Sequence, residues 1–291
     1  MNKNKAILIT VRTGSKRLPN KAMLEIGGRT TISHLIENVK KSKKADTIIL
    51  CTTKLKEDDI LCKIADESGI NYFRGSVNDK LERWKGACKK FKVDFFVTAD
   101  GDDLFCEPEL IDLAFEQYER NNTDFIQGKD IICGSFTYGI KTDALNKVCD
   151  IKDTDDTEMM WVYFTDTDLF NVENLENVPK IYKRSDIRMT LDYEDDFKFF
   201  STIINNLNNK ESNENDHDDN YYLKHNSILN DKSLDFNLKD VLNYIDKNPE
   251  VKKINYYLHK KWSKNQQQKT KLVIKNEKHK QISGKRTKLH K

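Results

Sequence analysis

Short apolar runs alternate with stretches of helical periodicity through the first half of the chain, and this alternation most narrows what the polypeptide can fold into. The runs cover residues 6–11, 47–52, 71–74 and 94–98. Between them Ile32, Leu35, Ile36 and Val39 share one helical face. So do Ile60, Leu61, Ile64 and Ala65, and then Leu81, Trp84, Ala87 and Cys88. Gly69 stands where a helix C′ residue belongs, and Pro108 opens a further helix through Tyr118. Strands followed by helices predict an α/β fold with three layers: a mostly parallel central sheet with helices on both faces.

The second half is less regular. Residues 124–142 contain short strand-like runs, and helices are predicted over 194–207, 237–246 and 251–259. The Asn- and Asp-rich stretch of about 204–232 reads as a polar loop. One domain over residues 1–262 followed by a basic, disordered tail over 263–291 accounts for the pattern. With 50 Lys and Arg against 47 Asp and Glu, the net charge is only +3, so cations matter where they cluster and not in bulk. The tail has no aromatic residues between its lysines to stack on bases, which argues against a nucleic-acid partner. Six cysteines show neither CxxC nor zinc-ligand spacing and fit free thiols in a reducing cytoplasm. No stretch is apolar enough to span a membrane, and the N-terminus enters a strand with no room for a leader.

Two segments carry chemistry. The first strand runs into Arg12-Thr13-Gly14-Ser15-Lys16-Arg17-Leu18-Pro19-Asn20-Lys21, which brings four cations to the carboxyl edge of the sheet, where open α/β folds bind ligands. Gly14 permits close backbone approach, so the loop reads either as a polyphosphate cradle or as a basic surface loop. The spacing is not that of a Walker loop, and no G-x-G-x-x-G follows the strand, which disfavours a dinucleotide-dependent dehydrogenase. Asp100-Gly101-Asp102-Asp103 follows the fourth strand and should emerge at the same edge. Crowded carboxylates there point to a divalent cation with oxygen ligands, or to an acidic turn. A second acidic group, Asp192 to Asp196, opens a helix, where its carboxylates either cap the helix or bind a ligand.

The order of these segments resembles the cytidylyltransferases that activate sugars as CMP derivatives. The similarity is greatest to the spore-coat polysaccharide biosynthesis type and extends to CMP-sialic acid and CMP-Kdo synthetases. It rests on R-x-G-S-x-R-L-P-x-K at 12–21, F-R-G-S-x-x-D-x-L-x-R at 73–83, the Asp100–Asp112 stretch, R-x-T-x-D at 188–192 and N-P-E at 248–250. The resemblance implies a Rossmann-like nucleotidyltransferase fold and CTP-dependent transfer of a cytidylyl group to a sugar or sugar acid, with release of pyrophosphate. It assigns Arg12, Gly14, Ser15, Arg17, Lys21 and Asp79 to CTP, Asp102 and Asp192 to Mg²⁺ (or Mn²⁺), and Arg12, Lys21 and Asp102 to catalysis. It also implies a cytoplasmic homodimer serving surface-polysaccharide synthesis. The chain departs from the pattern at Asp100 and Leu104, so Asp100 or Asp103 could share the metal role. A different NTP or a non-sugar acceptor remains open, as does a non-catalytic nucleotide or RNA binder.

Overall fold

In the computed structural model, residues 3–214 and 236–275 are described. Strand β1 (Lys5–Thr10) leads through a small hairpin, β2 (Glu25–Ile26) and β3 (Arg29–Thr30), into α1 (Thr31–Val39). Next come β4 (Thr47–Thr53), α2 (Asp59–Glu67), β5 (Asn71–Gly75), α3 (Lys80–Phe91), β6 (Phe95–Asp100) and α4 (Pro108–Asn121). The chain continues through β7 (Phe125–Gln127), β8 (Tyr138–Lys141), α5 (Thr142–Ile151), α6 (Val162–Thr165) and β9 (Val172–Asn174). It ends with α7 (Glu194–Glu214), α8 (Leu238–Lys247) and α9 (Leu258–Lys269).

Seven strands form one sheet in the order β5-β4-β1-β6-β8-β7-β9. The first four are mutually parallel, and β8 runs antiparallel to both β6 and β7. The α/β expectation holds, with one reversed strand making the sheet mixed. β1 is buried on both faces. Ile7 and Ile9 pack with α1, α2 and α4, and Ala6 and Leu8 face α3 and α5. That two-sided burial is why its sequence is continuously apolar.

From β1 the chain builds outward to β4 and β5, then returns to place β6 on β1's other side. Such a reversal opens a crevice beyond the carboxyl ends of the two central strands. Thr10 pairs with Asp100, and the Gly101 N–H donates to the Thr10 carbonyl at 2.9 Å. A side chain at Gly101 would meet Val11 at 2.7 Å, so only glycine allows the two strand ends to lie this close.

The structure departs from the sequence reading at two places. α7 continues to Glu214, seven residues past the predicted helix end and into the stretch expected to be a polar loop. The remainder of that loop, 215–232, lies outside the described residues. At the C-terminus, α9 crosses the predicted domain end and stays helical to Lys269, its Lys and Gln residues being good helix formers. Residues 276–291 of the predicted tail are likewise outside the described set. No described helix is long and apolar enough to cross a membrane. Of the six cysteines, all free, five are buried and Cys133 is half-buried.

Candidate active site

The crevice beyond β1 and β6 is a cleft of about 850 Å³. The basic loop after β1 supplies one wall, with Arg12, Gly14, Ser15, Lys16, Arg17 and Lys21 all lining it. Asp100, Asp102 and Asp103, at the end of β6, form its floor. Residues far apart in sequence thus meet because two adjacent strands end in register.

Lys21 ties the loop to the floor. Its ammonium donates to Asp102 Oδ2 at 2.5 Å and to Asp192 Oδ1 at 3.1 Å. Burial works against the charged lysine, but Asp102 and Asp192 outweigh it and raise its pKa above the ordinary value. Arg17 also pairs with Asp192, and its guanidinium lies 5.6 Å from the centre of the Tyr193 ring. The start of the loop is pinned from below. The buried Asp58 carboxylate accepts from the Thr13 N–H at 2.8 Å and the Thr13 hydroxyl at 2.7 Å, and also from Thr53. Burial raises the Asp58 pKa, yet these donors bring it below the usual carboxylate value. Gly14 needs no special backbone angle, and a Cβ there would meet nothing within 4 Å. Its missing side chain leaves open the side of the loop that lines the cleft.

The floor is short of positive charge. Carboxylate oxygens of Asp100, Asp102 and Asp103 lie within 4.8 Å of one another. Burial pushes the Asp102 carboxyl upward, and Asp192 and Asp100 add to this against the pull of Lys21. Asp103 is pushed up further by burial and by its neighbours Asp102 and Asp100. Lys80 answers part of this charge, reaching Asp100 at 2.9 Å. Hard oxygen donors crowded in excess of their cations suit a divalent ion such as Mg²⁺. Asp102 and Asp192 already converge on one ammonium, so they too are placed to share a cation.

Beneath Asp192 lies a buried ionic node. Arg188, fully buried, donates through Nε to Asp196 Oδ1 at 3.1 Å and through Nη2 to Asp196 Oδ2 and Asp192 Oδ2, each at 3.2 Å. Asp196 also accepts the backbone N–H groups of Asp192 and Tyr193 and the Asn255 amide. Its oxygens are thus spent on fixing the start of α7, which resolves the two readings of that acidic helix end in favour of capping for Asp196. Asp192 is held differently: burial raises its pKa, but Lys21, Arg17 and Arg188 together lower it. Behind it, Gly134 at φ +92 packs against Met189, whose carbonyl would lie 1.8 Å from any Cβ there.

Asp79 does not join the others. It caps α3 by accepting the Glu82 N–H at 3.1 Å, and it binds Lys152 at 2.5 Å and the Thr157 hydroxyl at 3.0 Å. It is 2% exposed and does not line the cleft, and its carboxylate is engaged in these packing contacts. Arg83, one turn further on, does line the cleft. Several other lining residues carry no motif: Lys80, Glu158, Tyr138, Trp161, His259 and Trp262. Of these, Lys80 alone has a sequence signal, a cation directly after the Asp79 cap inside the 73–83 segment.

Comparisons with known proteins identify the family. The sequence profile described as Cytidylyltransferase matches residues 6–289. An uncharacterized protein of Methanocaldococcus jannaschii is 35% identical over 250 residues, 85% of this chain and 93% of its own length. The spore coat polysaccharide biosynthesis protein SpsF of Bacillus subtilis is 24% identical over 203 residues, 67% of this chain and 84% of its own. Among solved structures, a cytidylyltransferase from Leptospira borgpetersenii serovar Hardjo-bovis superposes with a TM-score of 0.70 at 25% identity, covering 86% of this chain and 97% of that one. The match along almost the whole chain places this protein in the cytidylyltransferase family, and it is a nucleotidyltransferase.

Proposed function

We propose that the protein transfers the cytidylyl group of CTP to a sugar or sugar acid, releasing pyrophosphate, in the synthesis of a surface polysaccharide or related glycan. The observation that carries this reading is the convergence of the basic loop and the carboxylate floor on Lys21, which touches both Asp102 and Asp192. A loop that only bound an anion would not need two carboxylates at its foot. The likeness to SpsF supports the polysaccharide setting.

In this reaction an acceptor oxygen forms a bond to the α-phosphorus as the bond to the bridging oxygen of the β-phosphate breaks. The protein's task is to align the two and to stabilise charge on the phosphate oxygens. Arg12, Arg17 and Lys21 face the leaving pyrophosphate, and Ser15 and the open side of Gly14 let the phosphates lie against the loop. Asp102 and Asp192 would hold Mg²⁺, with Asp100 and Asp103 beside them. An ion held by these carboxylates would supply Lewis-acid polarisation and charge neutralisation at the α-phosphate. Arg188 and Asp196 keep Asp192 oriented and take no part in bond making.

The test is pyrophosphate release from each of the four common NTPs with Mg²⁺ and a panel of sugar acids and sugar phosphates. The reading expects release with CTP and one acceptor class. Release with a different NTP, or only with a non-sugar alcohol phosphate, would reassign the reaction within the family.

A further inference from the structure

Helix α9 presents an unusual inward face. His259, Trp262, Ser263 and Gln266 follow the i, i+3, i+4, i+7 spacing of one helical stripe, and all four are half-buried and line the cleft. From Ser263 to Lys269 this helix contains no apolar residue. A helix face is normally drawn inward by apolar burial, and here the inward stripe carries one indole, an imidazole, a hydroxyl and an amide. The helix is held by its ends and flanks instead. Trp262 lies with its ring centre 5.2 Å from the Arg188 guanidinium, and Asn265 donates to the Tyr193 hydroxyl at 3.1 Å. Beyond the helix, the chain pairs with the end of α5 and the residues that follow it: Asp153 N–H donates to the Val273 carbonyl at 2.9 Å, and Lys275 N–H to the Ile151 carbonyl at 2.9 Å. α9 therefore spans the cleft from the Asp192 side to the far wall, anchored at both ends, with its polar stripe turned to the interior.

We propose that this stripe recognises the acceptor. An indole face packs against the apolar C–H face of a sugar ring. A carboxamide offers a donor and an acceptor together, as vicinal hydroxyls require. Trp262 stacks on the ring, and Ser263 and Gln266 hydrogen-bond its hydroxyls. The aromatic side chains of Tyr138 and Trp161 line the same cleft. The basic loop takes the phosphates and α9 sets acceptor choice, which the comparison of KM for CTP with KM for the sugar acid separates from contact with the base. This inference rests on the cytidylyltransferase reading and extends it to a segment that carries none of the motifs.

The experiment compares the wild type with the Ser263→Ala/Gln266→Ala double variant and with Trp262→Phe. Three sugar acids serve as probes: 3-deoxy-manno-octulosonate, N-acetylneuraminate and glucuronate. KM is measured for CTP and for each active probe. Binding is followed separately by tryptophan fluorescence, which Trp161 and Trp262 report from the cleft. The double variant should raise KM for the sugar acid about ten-fold, as expected for lost neutral hydrogen bonds, with KM for CTP and Tm unchanged. Trp262→Phe, which keeps an aromatic face, should raise it less. An unchanged sugar KM in the double variant overturns the proposal, as does an equal rise in KM for CTP, which would turn α9 toward the nucleotide. Failure of every probe to bind the wild type also overturns it. CTP binding in the same titration then shows whether the transferase reading falls with it.

Discussion

Asp196→Asn replaces one atom at the centre of the buried node, and its cost can be worked from the geometry. Asp196 Oδ2 accepts from Asp192 N–H at 2.9 Å, Tyr193 N–H at 3.0 Å and Arg188 Nη2 at 3.2 Å. Oδ1 accepts from Arg188 Nε at 3.1 Å and Asn255 Nδ2 at 3.0 Å. The better orientation of an asparagine keeps its oxygen at the Oδ2 position and its amide nitrogen at Oδ1, facing two donors. Asn255 could turn its oxygen toward the new amide, but the same oxygen would then face the Arg188 carbonyl that Asn255 now serves at 3.1 Å. Arg188 Nε would lose its acceptor, and the buried guanidinium would keep only Asp192 as counter-charge. One charge-assisted hydrogen bond plus a half-compensated buried ion comes to about 3 kcal/mol, and Asp196→Ala should approach about 5 kcal/mol. Against a total stability of about 5–15 kcal/mol, either loss is large. Urea unfolding should show a lower midpoint with an unchanged slope. A loss below about 1 kcal/mol at constant slope would falsify the view that Asp196 holds Arg188 and Asp192 in place.

Four further outcomes are expected. Lys21→Met, which removes a preorganised cation at the phosphates, and Asp102→Asn, which weakens the carboxylate site that would hold the metal, should each lower kcat by about 10²–10³, as read in single-turnover assays; near wild-type rates in both would remove the site. Gly14→Val should fold with an unchanged Tm, since a Cβ there meets nothing within 4 Å, while KM for CTP rises; an unaffected KM means the nucleotide does not approach the loop. Asp79→Ala should lower Tm through loss of the α3 cap and of the Lys152 pair but leave KM for CTP at its wild-type value, and a raised KM would return Asp79 to the nucleotide site. Asp58 has a depressed folded pKa, so its stabilisation is complete above the unfolded value of about 3.9 and fades as pH falls through the folded one. The stability gap between wild type and Asp58→Asn, from urea melts at stepped pH, should therefore narrow only on the acid side of about pH 4, and a gap that closes near neutrality would assign the effect to another group.

The sheet and the meeting of the two chemical segments were legible because they depend on local pattern. An apolar run such as residues 6–11 announces a buried strand, and a strand's end announces where its loop emerges. The register of Thr10 with Asp100 then does the rest. Asp79 marks where local pattern stops: an aspartate before a helix serves as a cap or as a ligand contact, and its contacts with Lys152 and Thr157 come from segments distant in sequence. α9 was hidden by composition. Its lysines and glutamines read as tail, since nothing in residues 263–269 is apolar, and its order comes from tertiary anchors at Arg188, Tyr193 and the segment after α5. Helix α5 has a stripe of Ala144, Leu145, Val148 and Cys149, but it is short and follows directly on a strand, where helical and strand periods are hard to separate.

The most direct test of the account follows the fate of the phosphates. The enzyme is incubated with Mg²⁺, a sugar-acid panel and CTP labelled at either the α- or the γ-phosphorus, and the products are separated. Attack at the α-phosphorus predicts the α-label in a CMP–sugar conjugate and the γ-label in pyrophosphate, both formed about 10²–10³-fold more slowly with Asp102→Asn. Appearance of the γ-label as orthophosphate with the α-label in CDP would place the bond cleavage at the wrong phosphorus and contradict cytidylyl transfer.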